Sequence, residues 1–422
     1  MDCNSVLIIV MLVSLLCVWT ITEATDLIIN TTYLQTAVAK GAVCLDGSAP
    51  AFNFHPGTGS GLYSWLIHLQ GGAWCDSTMD CQVRAKSQYG SSKYIPDVAY
   101  FKGILSNDSQ LNPDFYTWNR VKIRYCDGSS YTGDIEQVDP ITNLHFRGAR
   151  IFQAIMEELL YSKGMIFAHN AILSGSSAGG LGAILNCDKF RTFFSLTARV
   201  KCISSAGFFI NKKTINGEPH IQEYFKRVVA LHVRSIISIE KITQIQLCFL
   251  YTFFVANIFK YYRRSFMMLP LSCTSFSLDP SLCFFPQYAA QHICTPLFIV
   301  NSAYDSWQIN NSLVPSYADP YNKWIYCKQD MRMCSISQIQ TLQDFRLMLL
   351  KALNELGPSI TRGYFISSCH SHNDIEQQNQ WSDKNSPMIA NKTMAEAIGK
   401  WFFDRSGFQG VYCPYPCGKF CQ

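Results

Sequence analysis

The residues AILSGSSAGGLG, Ala171 to Gly182, constrain the fold of this chain more tightly than any other stretch. A short apolar run ends in a cluster of serines and glycines, and LGAILNC then continues with helix-forming residues. Buried strand, tight turn and helix in that order are the building unit of an α/β domain with a mostly parallel sheet. The pattern GxSxG is met only around Ser177, which has Gly175 and Gly179 two residues to either side. A nucleophile exposed on a sharp strand-to-helix corner needs small neighbours at those positions. The helix that follows aims its positive end at a developing oxyanion. Ser177 is therefore the candidate nucleophile, and the N–H of Ala178 a candidate oxyanion donor.

The rest of the chain repeats the alternation. Leu62–Gln70, Val121–Cys126, Ala171–Gly175, Pro296–Ser302 and Gly363–Ser367 read as buried strands, each ending in polar or glycine-rich text. Gly148–Gly164 has Ile151, Ile155, Leu159 and Leu160 at helical spacing and stops at a glycine. A second helix is expected from a cap at Ser335 or Ser337 to Gly357. With 422 residues, 48% apolar and 15% charged, the chain can bury a large core, and no internal repeat or low-complexity linker divides it.

The first 24 residues carry an apolar run from Val6 to about Trp19 and small residues before Ala24, which reads as a secretory leader with a membrane anchor as the competing reading. Two of the 18 cysteines, Cys3 and Cys17, lie in it; the other 16 are spread through the mature chain, a usage that suits pairing in an oxidising compartment. No CxxC pair or HExxH helix suggests a metal. Sequons at Asn30, Asn107, Asn310 and Asn391 agree with export. Lys and Arg exceed Asp and Glu by 35 to 30, and by 35 to 28 once Asp2 and Glu23 leave with the leader. That mild excess forms no long run or basic amphipathic repeat, so nucleic acid is not a candidate partner.

A serine of ordinary pKa needs a base, and the base an orienting acid. Of the histidines after Ser177, only His370 and His372 follow a strand-like run near the end of the chain, and position does not choose between them. Asp305 comes where the strand PLFIVNS ends, a place that equally suits a turn or helix-cap carboxylate. Asp279, Asp319 and Asp330 are less well placed. HLQGGAWC, after the first strand, offers Gly71 and Gly72 as a backbone segment able to approach a ligand.

Taken together, LQGGAWC, YCDGSSYTGD, FRGARI, SGSSAGGL, NCDKFR, AGFFIN, LCFFPQ, PLFIVNSAYDSWQI and CPYPC resemble the plant pectin acetylesterases, a carbohydrate esterase group related to the animal carboxylesterase Notum. The resemblance runs from about Val43 to the end. It implies an α/β-hydrolase-like fold, a mostly parallel central sheet flanked by helices and braced by disulfides, in one domain over residues 25–422. It also implies hydrolysis of acetyl esters of cell-wall pectin by a secreted enzyme that needs no cofactor and keeps no membrane span. Carried over by position, the nucleophile falls on Ser177, the acid on Asp305 and the base on His372. The oxyanion donors fall on the N–H groups of Gly72, Ala73 and Ala178, and Trp74 lines the pocket.

Three departures qualify that picture. Relatives usually carry cysteine in place of Ser176 and Asn373, and a pairing of those two cysteines would be a brace that is missing here. Ser205 replaces an aspartate. Residues Val233–Met268 have no counterpart, carry a charge of +4 from Arg234, Lys241, Lys260, Arg263 and Arg264 less Glu240, and read as translated intron; their core, Leu247 to Phe259, is short for a bilayer span. A wall-binding glycoprotein with weak catalysis, or a lipid or protein-acyl esterase of Notum type, is the alternative function.

Overall fold

The computed structural model describes residues 27–232 and 269–417, apart from Phe276 and Asn373. The leader and the segment Val233–Met268 lie outside the described residues. Ten strands form one sheet: β1 (Leu27–Tyr33), β2 (Ala51–His55), β3 (Ser64–Leu69), β4 (Val98–Phe101), β5 (Asn119–Ile123), β6 (Asn170–Ser176), β7 (Arg199–Ser205), β8 (Leu297–Ser302), β9 (Gly363–Ser367) and β10 (Gln409–Val411). Their order is β10-β9-β8-β7-β6-β3-β5-β2-β1-β4. From β10 to β5 every pairing is parallel, and β2, β1 and β4 extend the edge antiparallel. The architecture expected from the alternation is therefore present, and each of the five expected strands is found to within a few residues.

Both faces of the parallel part are buried, which is why its strands read as continuous apolar runs rather than alternating ones. Successive residues feed different cores. Trp65, Ile67, Leu69, Ala171, Leu173, Leu297 and Ile299 join one cluster, while Leu66, Ile172, Phe298, Val300 and Phe365 join another on the opposite face. The first face is covered by α2 (Gly148–Glu157), α3 (Ala178–Leu185) and α5 (Ile336–Glu355), the second by α6 (Met394–Phe402); α4 (His220–His232) adds Ile221, Phe225 and Val228 to the first cluster, and α1 (Thr78–Arg84) adds Cys81 to a small third one. Helix α5 starts from a capping box of Ser335 and Gln338, one of the two expected starts, and its end is followed by Gly357 with φ +75°.

Disulfides tie loops to this frame: Cys44–Cys126, Cys75–Cys81, Cys187–Cys202, Cys273–Cys283, Cys327–Cys334 and Cys413–Cys417. Cys294 and Cys369 are also disulfide-bonded. Cys75–Cys81 fastens the start of α1 to the loop after β3, and Cys187–Cys202 ties the chain after α3 to β7. Among the described residues no helix is long and apolar enough to cross a membrane.

Candidate active site

Strand β6 ends at Ser176, α3 begins at Ala178, and Ser177 between them takes φ +58° and ψ −124°. That backbone is strained for a residue with a Cβ. The Ser177 N–H is held by the Ser205 carbonyl at 2.8 Å. The two motif glycines are explained by contact: a Cβ on Gly175 would lie 2.1 Å from the Gly179 carbonyl oxygen, and one on Gly179 2.0 Å from that of Leu69. Only glycine lets the helix turn this closely over the ends of β3 and β6.

His372, in the loop after β9, places Nε2 2.8 Å from Ser177 Oγ and Nδ1 2.9 Å from Asp305 Oδ2. A carboxylate only accepts, so Nδ1 carries the ring proton and Nε2 is left to accept the serine's. Asp305 is fully buried just after β8, and its second oxygen accepts from the Gln308 N–H at 2.9 Å. The two roles its position suggested are thus held together, one oxygen capping the short helix Ser306–Gln308 and the other facing the histidine. The alternatives fall away. His370 is two residues off, burial lowers its pKa, and its Nε2 has no hydrogen-bond partner. Asp279 and Asp330 cap short helices, and Asp319 accepts the Lys323 and Trp324 N–H groups.

The glycine loop after β3 packs directly against the serine: a Cβ on Gly71 would be 2.8 Å from Ser177 Cβ. Among the described residues, the N–H groups of Gly72, Ala73 and Ala178 have no protein acceptor. Trp74 is 3% exposed, with its Nε1 donating to Ser130 Oγ at 2.7 Å. Its ring meets Phe209, Phe225 and Trp307 edge-on at centroid distances of 4.9, 4.9 and 5.5 Å. Phe209 and Trp307 in turn lie 6.4 and 6.3 Å from the His372 ring. The histidine ring is therefore flanked by packed aromatic rings.

A family model described as pectinacetylesterase matches residues 22–422. The chain belongs to the pectinacetylesterase family. It is 46% identical to pectin acetylesterase 7 of Arabidopsis thaliana over 92% of each chain. It is 47% identical to pectin acetylesterase 11 of the same plant over 90% of this chain and 89% of that one. At 25% identity, a palmitoleoyl-protein carboxylesterase, Notum of Schmidtea mediterranea, matches 85% of this chain and 60% of its own length.

In this pectinacetylesterase chain the two serines at departure positions enter a polar network under the elbow that sequence reasoning missed. Ser176 Oγ lies 3.4 Å from His68 Nε2, and Ser205 Oγ accepts the Ile375 N–H at 3.4 Å. Fully buried His68 meets Ser174 Oγ at 3.0 Å and Glu376 Oε2 at 3.1 Å, and Glu376 also pairs with Lys122. Glu376 stands four residues after His372, so its partners His68 on β3 and Lys122 on β5 pin the histidine loop to the sheet. Asn373 lies outside the described residues.

Burial raises the pKa of Glu376, but Lys122 and His68 outweigh it and hold it well below the usual value. A carboxyl depressed in the folded state adds stability that is complete above its unfolded pKa, about 4.3, and fades as pH falls toward the folded value. Glu376→Gln is expected to cost about 2 kcal/mol at neutral pH, because it leaves a partly buried lysine without its charge partner. The deficit should shrink as wild type loses its own advantage below about pH 4. Urea unfolding of both proteins from neutral pH to about pH 3 checks this, and a deficit constant across that range would refute the assignment.

Proposed function

We propose that this chain is a serine esterase that removes acetyl groups from cell-wall pectin. The observation that carries the reading is the single imidazole bridging Ser177 and a buried carboxylate at hydrogen-bond distance on both sides. His372 takes the Ser177 proton as the oxygen attacks the acetyl carbonyl, and Asp305 keeps the ring in the tautomer that can accept it. The N–H groups of Gly72, Ala73 and Ala178 receive the oxyanion in a preorganised, partly desolvated site. The imidazolium then protonates the departing sugar oxygen, which leaves as a hydroxyl, and water repeats the sequence on the acetyl-enzyme to release acetate. Every proton in this cycle is moved by His372, and we assign no cofactor.

Acetyl is the acyl group that the surroundings favour. Phe209 and Trp307 pack near the His372 ring and Trp74 packs against both, with Trp74 and Phe209 buried, so we take a long acyl chain to be disfavoured beside these packed rings. This separates the reading from the one suggested by the distant palmitoleoyl-protein carboxylesterase. The plant relatives, named as pectin acetylesterases and matched over nine-tenths of the chain, supply the polysaccharide. Residues 1–24 serve as the secretory leader and residues 25–422 as one catalytic domain delivered to the wall. Fourteen disulfide-bonded cysteines among the described residues and the exposed sequon residues Asn30, Asn107 and Asn391 support export.

The test is acetate release from acetylated pectin beside a series of aryl esters of increasing acyl length. Acetate should be released from the polymer, and kcat/KM should fall by about 100-fold or more between acetyl and octanoyl esters. Trp74→Ala should narrow that gap. A profile that is flat or rises with chain length would instead favour the lipid-acyl reading.

A further inference from the structure

We propose that Arg84 is the positioning residue that turns the Gly72–Ala73 loop so that its N–H groups, rather than its carbonyls, face Ser177. The inference rests on the esterase reading above.

Arg84 is the last residue of α1, a helix capped by the Ser77 side chain and fastened at Cys81 to Cys75, just after the loop. Its Nη2 donates to the Gly72 carbonyl at 2.7 Å and lies 3.4 Å from that of Ala73, while its Nε donates to the Tyr89 carbonyl at 2.9 Å. The guanidinium sits 5.4 Å from the Tyr89 ring centre and 5.1 Å from that of Tyr125. The partners that hold this cation are thus backbone carbonyls and aromatic faces. The Tyr125 hydroxyl completes the clamp by donating to the Ala73 carbonyl at 2.8 Å.

A trans peptide is planar, with its C=O and N–H on opposite sides. Fixing the Gly72 carbonyl on Arg84 therefore sends the Ala73 N–H the other way, and fixing the Ala73 carbonyl does the same for the Trp74 N–H. The loop is a layer between two surfaces. A Cβ on Gly72 would strike the Tyr89 ring at 2.5 Å, whereas one on Gly71 would strike Ser177 Cβ at 2.8 Å. The side opposite Arg84 is the side of the nucleophile.

Such a clamp is needed because the loop conformation is unfavourable in itself. Gly72 has φ +150° and Ala73 φ +56°, the latter in a region that residues with a Cβ rarely adopt. If the Gly72–Ala73 peptide flipped, a carbonyl would point at the developing negative charge. Tyr125 is supported from behind, since its hydroxyl accepts the Ser130 N–H at 2.9 Å and Ser130 Oγ accepts from Trp74. Ser130 and Tyr131 hold φ of +56° and +61°, and Asp127 folds that turn by accepting the Ser129 and Tyr131 N–H groups. The motif YCDGSSYTGD thus serves as the buttress of the loop.

The experiment compares Arg84→Met, Arg84→Lys and Tyr125→Phe with wild type and Ser177→Ala on an aryl acetate. Alongside kcat and KM, the affinity for a small alkylboronic acid is measured, because its tetrahedral serine adduct places an oxygen where the oxyanion sits. Arg84→Met should lower kcat about 100-fold with KM within about twofold, as expected for loss of one oxyanion donor. Boronate affinity should weaken by the same factor, and Arg84→Lys should recover about tenfold by reaching one carbonyl. If the methionine variant does not fold, Arg84→Lys and Tyr125→Phe carry the test through the same parallel loss of kcat and boronate affinity. Unchanged kcat, a loss confined to KM, or a fall in kcat with boronate affinity intact overturns the proposal. Activity that vanishes with Ser177→Ala but is untouched by the Arg84 variants overturns this inference alone, whereas activity surviving Ser177→Ala removes the esterase reading and this inference with it.

Discussion

Ser177→Ala abolishes acetate release, with kcat falling on the order of 10⁶-fold while the protein remains folded. The size of the effect follows from the chemistry: without the hydroxyl no acetyl-enzyme forms, and only the oxyanion donors and substrate binding are left. The fold should tolerate the change because, among the described residues, the Ser177 hydroxyl bonds only His372, and the strained corner is held by the backbone bond from its N–H to Ser205. Acetate release, labelling by a fluorophosphonate and the thermal unfolding midpoint together check the prediction. The variant should be silent, unlabelled and within a few degrees of wild type. Residual activity within tenfold of wild type would place the chemistry elsewhere.

What the sequence makes legible depends on how each element is buried. Strands β3, β6, β8 and β9 are covered on both faces and read as apolar runs. Strand β7 does not, because Lys201 and Ser204–Ser205 interrupt RVKCISS, yet it lies at the centre of the sheet. Lys201 is accommodated by sending its ammonium to the Trp401 carbonyl and Asp404 beyond the sheet, a solution no pattern reveals. The antiparallel strands β1, β2 and β4 lie at or near one edge, with β1 and β4 partly exposed, and leave little periodic signal.

The same contrast holds at the site. Ser177 and Asp305 are legible as candidates because both stand where strands end, a position the text preserves. His370 and His372 cannot be separated by position, since both follow β9 within a few residues, and the ring that reaches the serine is set by how the loop folds. Arg84, Tyr125, His68, Lys122 and Glu376 act through carbonyls, ring faces and pairings up to 308 residues apart in sequence. Tyr125 apart, which opens YCDGSSYTGD, side chains used that way carry no motif. The resemblance to pectin acetylesterases supplied the histidine that spacing left open, and it said nothing of the residues that hold the loops.

Asp305→Asn should lower kcat on the order of 10⁴-fold with little change in KM. The reason lies in which oxygen is already committed. Asp305 Oδ1 accepts the Gln308 N–H, and only an oxygen can do so. An amide introduced here therefore keeps its oxygen on Gln308 and turns its NH₂ toward His372 Nδ1. Facing a donor, the imidazole must move its own proton to Nε2, the atom that has to accept from Ser177. Geometry survives while the tautomer is inverted, and asparagine remains a good helix cap, so stability should change by less than about 1 kcal/mol. Steady-state kinetics with an aryl acetate, beside a denaturant titration, separates these effects. A loss smaller than about tenfold would show that His372 takes its orientation from some other group, and a large loss matched by unfolding would return Asp305 to the role of a cap.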